Sequence, residues 1–250
     1  MDEITAIIWV LSAVVILMAS VLKGLTGFGF ALFAVPILSM MLPIQVLIPA
    51  MSLFNLLASI YLLLQLKVKL EAKYFIPMFL ASLLGIPIGV YALQNFDEML
   101  LRILVAIIIV IFSLMLFFRR NHEPRHKNKP IVFAGFLSGI LGSSVSLSGP
   151  PIALAMNSKG YRKNRFRANF AIFGILSSLF TSIAYLLKGI IVIASVKFTA
   201  YFFPLLLIGS KLGNHWARKI KNERFRRIVI AVNFATGLTV LIITLIKYHP

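Results

Sequence analysis

Two short stretches of this 250-residue chain carry the residue types from which a site for a small anion can be built. The first is Gly24-Leu25-Thr26-Gly27-Phe28-Gly29, with Lys23 directly before it. The second is Gly139-Ile140-Leu141-Gly142-Ser143-Ser144, continued by Ser146, Ser148 and Gly149 to Pro150-Pro151. Laid over each other 115 residues apart without a gap, the stretches run on to Leu32 and Pro36-Ile37 in one copy and to Leu147 and Pro151-Ile152 in the other. Glycine allows close backbone approach, serine and threonine offer hydroxyl donors, and a helix N-terminus adds unpaired N–H groups with partial positive charge. Proline suits the first turn of a helix near 151, where its missing N–H costs nothing. The chemistry on offer is hydrogen bonding to an anion rather than bond-making. The chain has no paired carboxylates, no His cluster with ligand spacing, no nucleophile elbow and no Walker motif. It is therefore read as a non-enzyme with no metal and no cofactor, and zero Cys excludes disulfides and thiol chemistry.

Both stretches lie inside long apolar runs. With 60% hydrophobic residues, and Lys23 the only charge between Glu3 and Lys67, the chain far exceeds the roughly 20 apolar residues that cross a bilayer. It reads as an integral membrane protein with no soluble domain. Asp2-Glu3 has the wrong sign for the start of a signal peptide, and no small-residue cleavage site follows. Apolar segments fall at about 4–43 (broken near 23–29), 45–66, 74–94, 99–118, 130–158 (broken near 143–151), 168–187, 198–217 and 228–247. Helices are required, since lipid offers no partner for free backbone groups. Glu98, Arg102 and Ile103 answer to Glu223, Arg227 and Ile228, opening the last segment of each half. Paired Gly/Pro interruptions in two halves point to a transporter built from repeats, with its site where the broken segments meet.

Charge sets the expected topology. Lys and Arg collect at 67–73, 119–129, 159–167 and 218–227, which together hold 19 of the 25. If 130–158 crosses once, the second and third clusters fall on opposite faces and the cytoplasmic bias of positive charge is lost. If it dips and returns, all four share one side. The chain is therefore expected to be an all-α polytopic membrane protein of two inverted-topology repeats, each a broken, re-entrant helical hairpin plus three transmembrane helices. The expected divisions are repeat 1 over 1–118, a basic cytoplasmic linker over 119–129 and repeat 2 over 130–250, with both termini outside. The arm from Pro151 to Ser158 reaches only about 12 Å at 1.5 Å per residue, so it dips; ten full spans are the alternative. The net charge of +18 is assigned to topology and lipid headgroups rather than to nucleic acid.

Candidate binding residues follow from these elements. A single Gly/Ser patch is read as helix packing; two in register, each broken, are read as a site. Its expected donors are Thr26, Gly27, Gly29, Ser143, Ser144, Ser146, Ser148 and Gly149. Lys23 either raises the potential of that site or snorkels to an interface. Lys211, nearer the basic end of its segment, is read as snorkelling. Asn55 and Asn169, each in the span after a hairpin, are interhelical glue or substrate contacts. Arg102 and Arg227 are read as helix-start ion pairs. All seven acidic residues map to loops or segment ends, so no buried carboxylate relay is expected. Proton coupling would then fall to the substrate, His215 or a lysine.

The pattern Gly24-x-x-Gly27-x-Gly29 leading to Pro36, with Gly139-x-x-Gly142-x-Ser144 leading to Ser148-Gly149-Pro150-Pro151-Ile152, resembles the TauE/SafE sulfite exporter family, also called the toluene-sulfonate uptake permease family. The likeness covers essentially the whole chain, and Ser-Gly-Pro-Pro is its most specific part. Many members have a further glycine where Phe28 and Phe30 flank Gly29. The resemblance implies a multi-pass carrier of small anions such as sulfite, sulfonates, sulfoacetate or other carboxylates. The expected function is a secondary transporter working by alternating access in the cell membrane, its partners the anion and lipids, with a homodimer an open option. A non-transporting scaffold or assembly factor, an anion channel and a short-chain carboxylate permease are the alternatives.

Overall fold

The computed structural model describes residues 3–66, 72–101, 129–157 and 163–221, with single residues 103, 104, 107, 108, 111, 224 and 231 besides. Segments 99–118 and 228–247, and most of the 119–129 linker, thus lie largely outside the described residues. The described ones form α1 (Glu3–Thr26), α2 (Phe30–Leu38), α3 (Ile44–Gln65), α4 (Ala72–Asn95), α5 (Lys129–Val145), α6 (Gly149–Asn157), α7 (Lys163–Leu187) and α8 (Ile193–Lys219). Stretches of α1, α3, α4, α7 and α8 are long and apolar enough to cross a membrane, and Ile131–Val145 is a shorter apolar helix. The protein is an all-helical, polytopic membrane protein.

The broken segments are helical pairs. α2 and α6 have nine residues each, or about 13 Å at 1.5 Å per residue. That is less than half the thickness of a hydrocarbon core.

The repeat has a different register from the one expected. α1 ends at Thr26 and α5 at Val145, α2 and α6 start at Phe30 and Gly149, and α3 and α7 start at Ile44 and Lys163. Each pair is 119 residues apart, not 115. The gapless match had aligned like glycines and prolines. What sets the break is the left-handed residue after the helix, Gly27 (φ 89°) in one half and Ser146 (φ 59°) in the other. Four residues is about one helical turn, so the slip preserves the helix face and is invisible to apolar patterning.

Packing exchanges the halves. α1 lies along α8 and α5 along α4, while α3 contacts both α7 and α8, and α4 contacts α7. Swapping the halves interchanges α1–α8 with α5–α4 and α3–α8 with α7–α4, and returns α3–α7 to itself. The counterparts α3 and α7 run antiparallel: Ser52 and Ser182 hydroxyls are 3.3 Å apart, Asn55 Nδ2 donates to Ser178 Oγ at 2.7 Å, and a Cβ on Gly174 would lie 2.5 Å from Ser59 Oγ. Counterparts that pack antiparallel place the twofold axis across the helices, so the halves are inverted.

The parallel pairs are held by small residues. A Cβ on Gly85, Gly89 or Gly139 would run into the backbone carbonyl of Phe136, Ile140 or Ser82 across the α4–α5 interface. At the α1–α8 interface, one on Gly209 would come 2.6 Å from the Ser20 side chain, and one on Gly213 would strike the carbonyl of Val21. Lipid is as apolar as a leucine side chain, so close backbone contact replaces hydrophobic exclusion as the glue. Gly85 and Gly89 answer to Gly209 and Gly213, an offset of 124 between α4 and α8.

Helix ends gather on two faces. On one, Lys163 Nζ donates to the carbonyls of Ala217 and Ile220, both at 2.6 Å, and Asn214 Nδ2 donates to Gln65 Oε1 at 2.7 Å. On the other, Gln94 donates to Lys188 O at 3.2 Å, Ser195 Oγ donates to Val46 O at 2.8 Å, and Trp9 packs its ring on Tyr201 and Phe202. All four basic runs adjoin, in sequence, helix ends of the first face.

Gly139→Leu and Gly213→Leu should each lower the unfolding free energy by about 1–3 kcal/mol, the usual cost of overpacking. Leu84→Ala, at a side chain 71% exposed, should stay within about 0.5 kcal/mol. Reversible denaturant titration in detergent checks both.

Candidate functional site

At the first break Gly27 N–H donates to Lys23 O at 2.8 Å, closing α1 through a left-handed glycine. Gly29 is left-handed too, at φ 92°. The Thr26 hydroxyl lies 2.6 Å from Phe28 O and 2.8 Å from Leu22 O, and accepts Phe28 N–H at 3.2 Å. α2 then starts with no side-chain cap on its N-terminus, and Phe33 N–H returns to Gly29 O at 3.1 Å. The N–H groups of Phe30, Ala31 and Leu32 form the open first turn.

The second break also closes through a left-handed residue, Ser146 at φ 59°. Ser146 N–H donates to Gly142 O at 3.1 Å and Leu147 N–H to Leu141 O at 3.0 Å. Ser146 Oγ donates to Ile48 O at 3.2 Å, and the Ser148 carbonyl accepts Ser138 Oγ at 2.8 Å. Tyr185 OH donates to Ser143 O at 2.6 Å and ties α7 to this tip.

Between the tips lies a tight cavity with about 20 Å³ free to a water-sized sphere, room for roughly one water. On one side it meets Phe30, Ala31 and Leu32 of the α2 N-terminus; on another, Ser146, Ser148 and Gly149; on a third, Phe28, Phe170 and Phe173. Phe28 stacks on Phe170 with ring centres 5.0 Å apart, and a Cβ on Gly149 would sit 3.3 Å from the Phe28 ring. Lys23 and Asn55 line it as well. Lys23 is 2% exposed, and its Nζ donates to Asn55 Oδ1 at 2.7 Å. Among the described residues, no carboxylate is seen paired with it. Glu98 receives the N–H of Ile44 at the start of α3, eleven residues from Asn55.

The sequence-derived candidates thus divide. Lys23, Gly29, Asn55, Ser146, Ser148 and Gly149 converge on the cavity. Thr26 and Gly27 build the first tip without lining it. Ser143 Oγ is within 2.9 Å of Ile86 O and 2.8 Å of Gly139 O, and Ser144 Oγ bonds Ile140 O at 2.7 Å; both hydroxyls are turned to the helices. Asn169 is buried beside the site, its Nδ2 without a partner among the described residues.

Two groups were not singled out from the sequence. Phe170 and Phe173 form the aromatic wall. Arg167, counted with a basic loop cluster, is fully buried, and its Nη2 donates to Gly24 O and, at 2.7 Å, to Asn214 Oδ1. The available signal was its place between Phe166 and Phe170, aromatics one and three residues away, which continues the apolar pattern of α7 back to Lys163.

The family profile described as sulfite exporter TauE/SafE matches residues 12–240. Comparison with curated proteins and with solved structures gives no match. A match over nearly the whole chain, on a helical frame with two broken helices meeting at a buried cation, places the protein: it is a multi-pass membrane protein and belongs to the sulfite exporter TauE/SafE family, a family of transporters.

Proposed function

We propose that the protein carries a small oxyanion, of the sulfite or short sulfonate type, across the cell membrane by alternating access between its inverted halves. One observation carries this reading. Lys23 buries its amine at the junction of two helix breaks, and among the described residues its side-chain partner is the neutral amide of Asn55. A cation at that depth costs about 3 kcal/mol or more, and a scaffold has no use for leaving it unneutralised. The α2 amides and the Ser148 hydroxyl supply further donors around it. The narrow cavity suits a small head group, and the wall of Phe28, Phe170 and Phe173 suits a short carbon substituent.

Orientation follows from the basic face. Positive charge favours the cytoplasm, so the ends of α3 and α8 and the start of α7 face inward, and the start of α1 faces out. The described carboxylates do not reach the cavity: Asp97 is exposed and Glu98 caps α3. Proton coupling would use the substrate's own titration, His215 or a lysine.

Lys23→Met should reduce sulfite flux in proteoliposomes at least tenfold, since a hydrogen bond to a charged group contributes about 1.5–3 kcal/mol and 1.4 kcal/mol is a factor of ten. Labelled sulfoacetate and lactate, run beside sulfite, rank the substrate class. Undiminished flux of all three through a well-folded Lys23→Met protein would sink the site.

Ser148→Leu should also abolish flux, by bulk rather than charge, while the protein still elutes as a folded species. Retained uptake would make the second tip packing only.

Single cysteines at Lys163 and Lys219 should react with a membrane-impermeant maleimide only from the cytoplasmic side, and those at Lys188 and Lys197 only from outside. The chain has no native Cys to confuse the result. Labelling of 163 and 188 from the same side would refute this orientation.

A further inference from the structure

The first tip is flanked by two buried cations, and only Lys23 lines the cavity. Arg167 sits behind the same turn. Its guanidinium holds the carbonyl of Gly24, the residue after Lys23, and a Cβ on Gly27 would come 3.0 Å from Arg167 Cα. Asn214 Oδ1 takes a further bond from Nη2, and Asn214 Nδ2 passes the chain on to Gln65. Of the five guanidinium N–H donors, the one on Nε is buried with no partner among the described residues. Among the described residues no carboxylate is seen to neutralise the group there. An arginine that the fold needed only for packing or capping would be given a complete set of acceptors.

The repeat supplies an independent comparison. By the offsets of 119 and 124, the places of Arg167, Gln65 and Asn214 are held in the other half by Ile48, Ala184 and Val90. Ile48 and Val90 are buried, and Ile48 sits against Ser146 as Arg167 sits against Gly27. The architecture is therefore stable with apolar residues at these positions, and the polar set is peculiar to the end of the molecule that bears the basic runs. Beyond it, Gln65 and Asn214 line an open basin with Lys211, His215 and Arg218. Cations thus follow one another from Lys23 through Arg167 to that basin.

We propose that Arg167 is a second anion-binding station, one step from Lys23 toward the basic face, closed from the basin by Asn214 and Gln65. The proposal rests on the carrier reading of the Lys23 cavity. The planar fork of arginine matches two oxygens of a sulfite, sulfonate or carboxylate group, and the free Nε–H with one Nη–H presents that fork. An arriving anion displaces Asn214 Oδ1 from the guanidinium. That frees Asn214 and loosens its bond to Gln65, which is the change needed to connect the station with the basin. Anions then pass between two cations without meeting a carboxylate among the described residues.

Equilibrium dialysis of ³⁵S-sulfite against purified protein in detergent tests this, with folding monitored by size exclusion and thermal denaturation. At saturation the wild type should bind two equivalents, Lys23→Met one and Arg167→Gln one. Arg167→Lys keeps a donor for Gly24 O but loses the fork, and should weaken the second equivalent at least tenfold while remaining folded. If Arg167 only caps α1, Arg167→Gln lowers the melting temperature and leaves the binding curve unchanged, which overturns the proposal. Wild type saturating at one equivalent overturns it as well, and so does Arg167→Lys with wild-type affinity for both. Failure of the carrier reading looks different: Lys23→Met then keeps both equivalents and full flux, whatever Arg167 does.

Discussion

A helix interrupted inside a bilayer must find partners for the amides and carbonyls it releases, because hydrocarbon offers none. This constraint organises the molecule. The end of α1 is met by a left-handed glycine and by Arg167 on Gly24 O; the end of α5 by a left-handed serine, Ser146, with Tyr185 on Ser143 O. Ser138 reaches the Ser148 carbonyl, and Ser146 reaches across to Ile48 O. What remains unmet is the first turn of α2, and it opens onto the cavity beside Lys23. The candidate site gathers around these donors, which the fold does not satisfy for itself.

The two halves share a frame and differ in chemistry. Both break after a left-handed residue, both return through nine residues, and both lay their first helix along the other half's last described span. Inverting such a frame exchanges equivalent contacts for one another, which is what two states of similar energy require. Charge does not follow the symmetry. Lys23 answers to Gly142, Asn55 to Gly174 and Arg167 to Ile48. The site is therefore polarised toward the first tip, and the second tip contributes backbone and hydroxyls without a cation.

Much of this was legible in the chain. Segment lengths and the Gly/Ser/Pro clusters located both breaks to within a few residues, and the clustering of basic charge was what argued for hairpins. The register was not legible, because Gly24 pairs by identity with Gly139 and Pro36 with Pro151, whereas the fold is set by where φ turns positive. Hydroxyl direction was not legible either. Thr26, Ser143 and Ser144 each lie within bonding distance of the carbonyl four residues back, at Leu22, Gly139 and Ile140. A serine or threonine in an apolar helix readily makes this bond, and nothing in composition separates it from one that faces a ligand. Arg167 was hidden by a boundary: with α7 starting at Lys163, a residue that reads as loop lies a full turn inside the helix.

Neutral amides as the partners of both cations bear on how such a site can turn over. A carboxylate beside Lys23 would hold it firmly, and an incoming anion would have to break an ion pair in low dielectric, where that is costly. With no partner at all, the empty site would carry the full cost of a buried charge. Asn55 Oδ1 lies between these limits. It offers the ammonium a dipole that an anion can displace, and it is itself steadied by Ser178 through Nδ2. Asn214 stands in the same relation to Arg167, with Gln65 behind it. On the proposed reading each amide would return to its cation as the anion leaves, so the empty protein would not be left with a bare charge in hydrocarbon. Replacing either asparagine by aspartate would keep the shape and add a competing anion, trapping the cation in a pair that a monovalent substrate has little free energy to open.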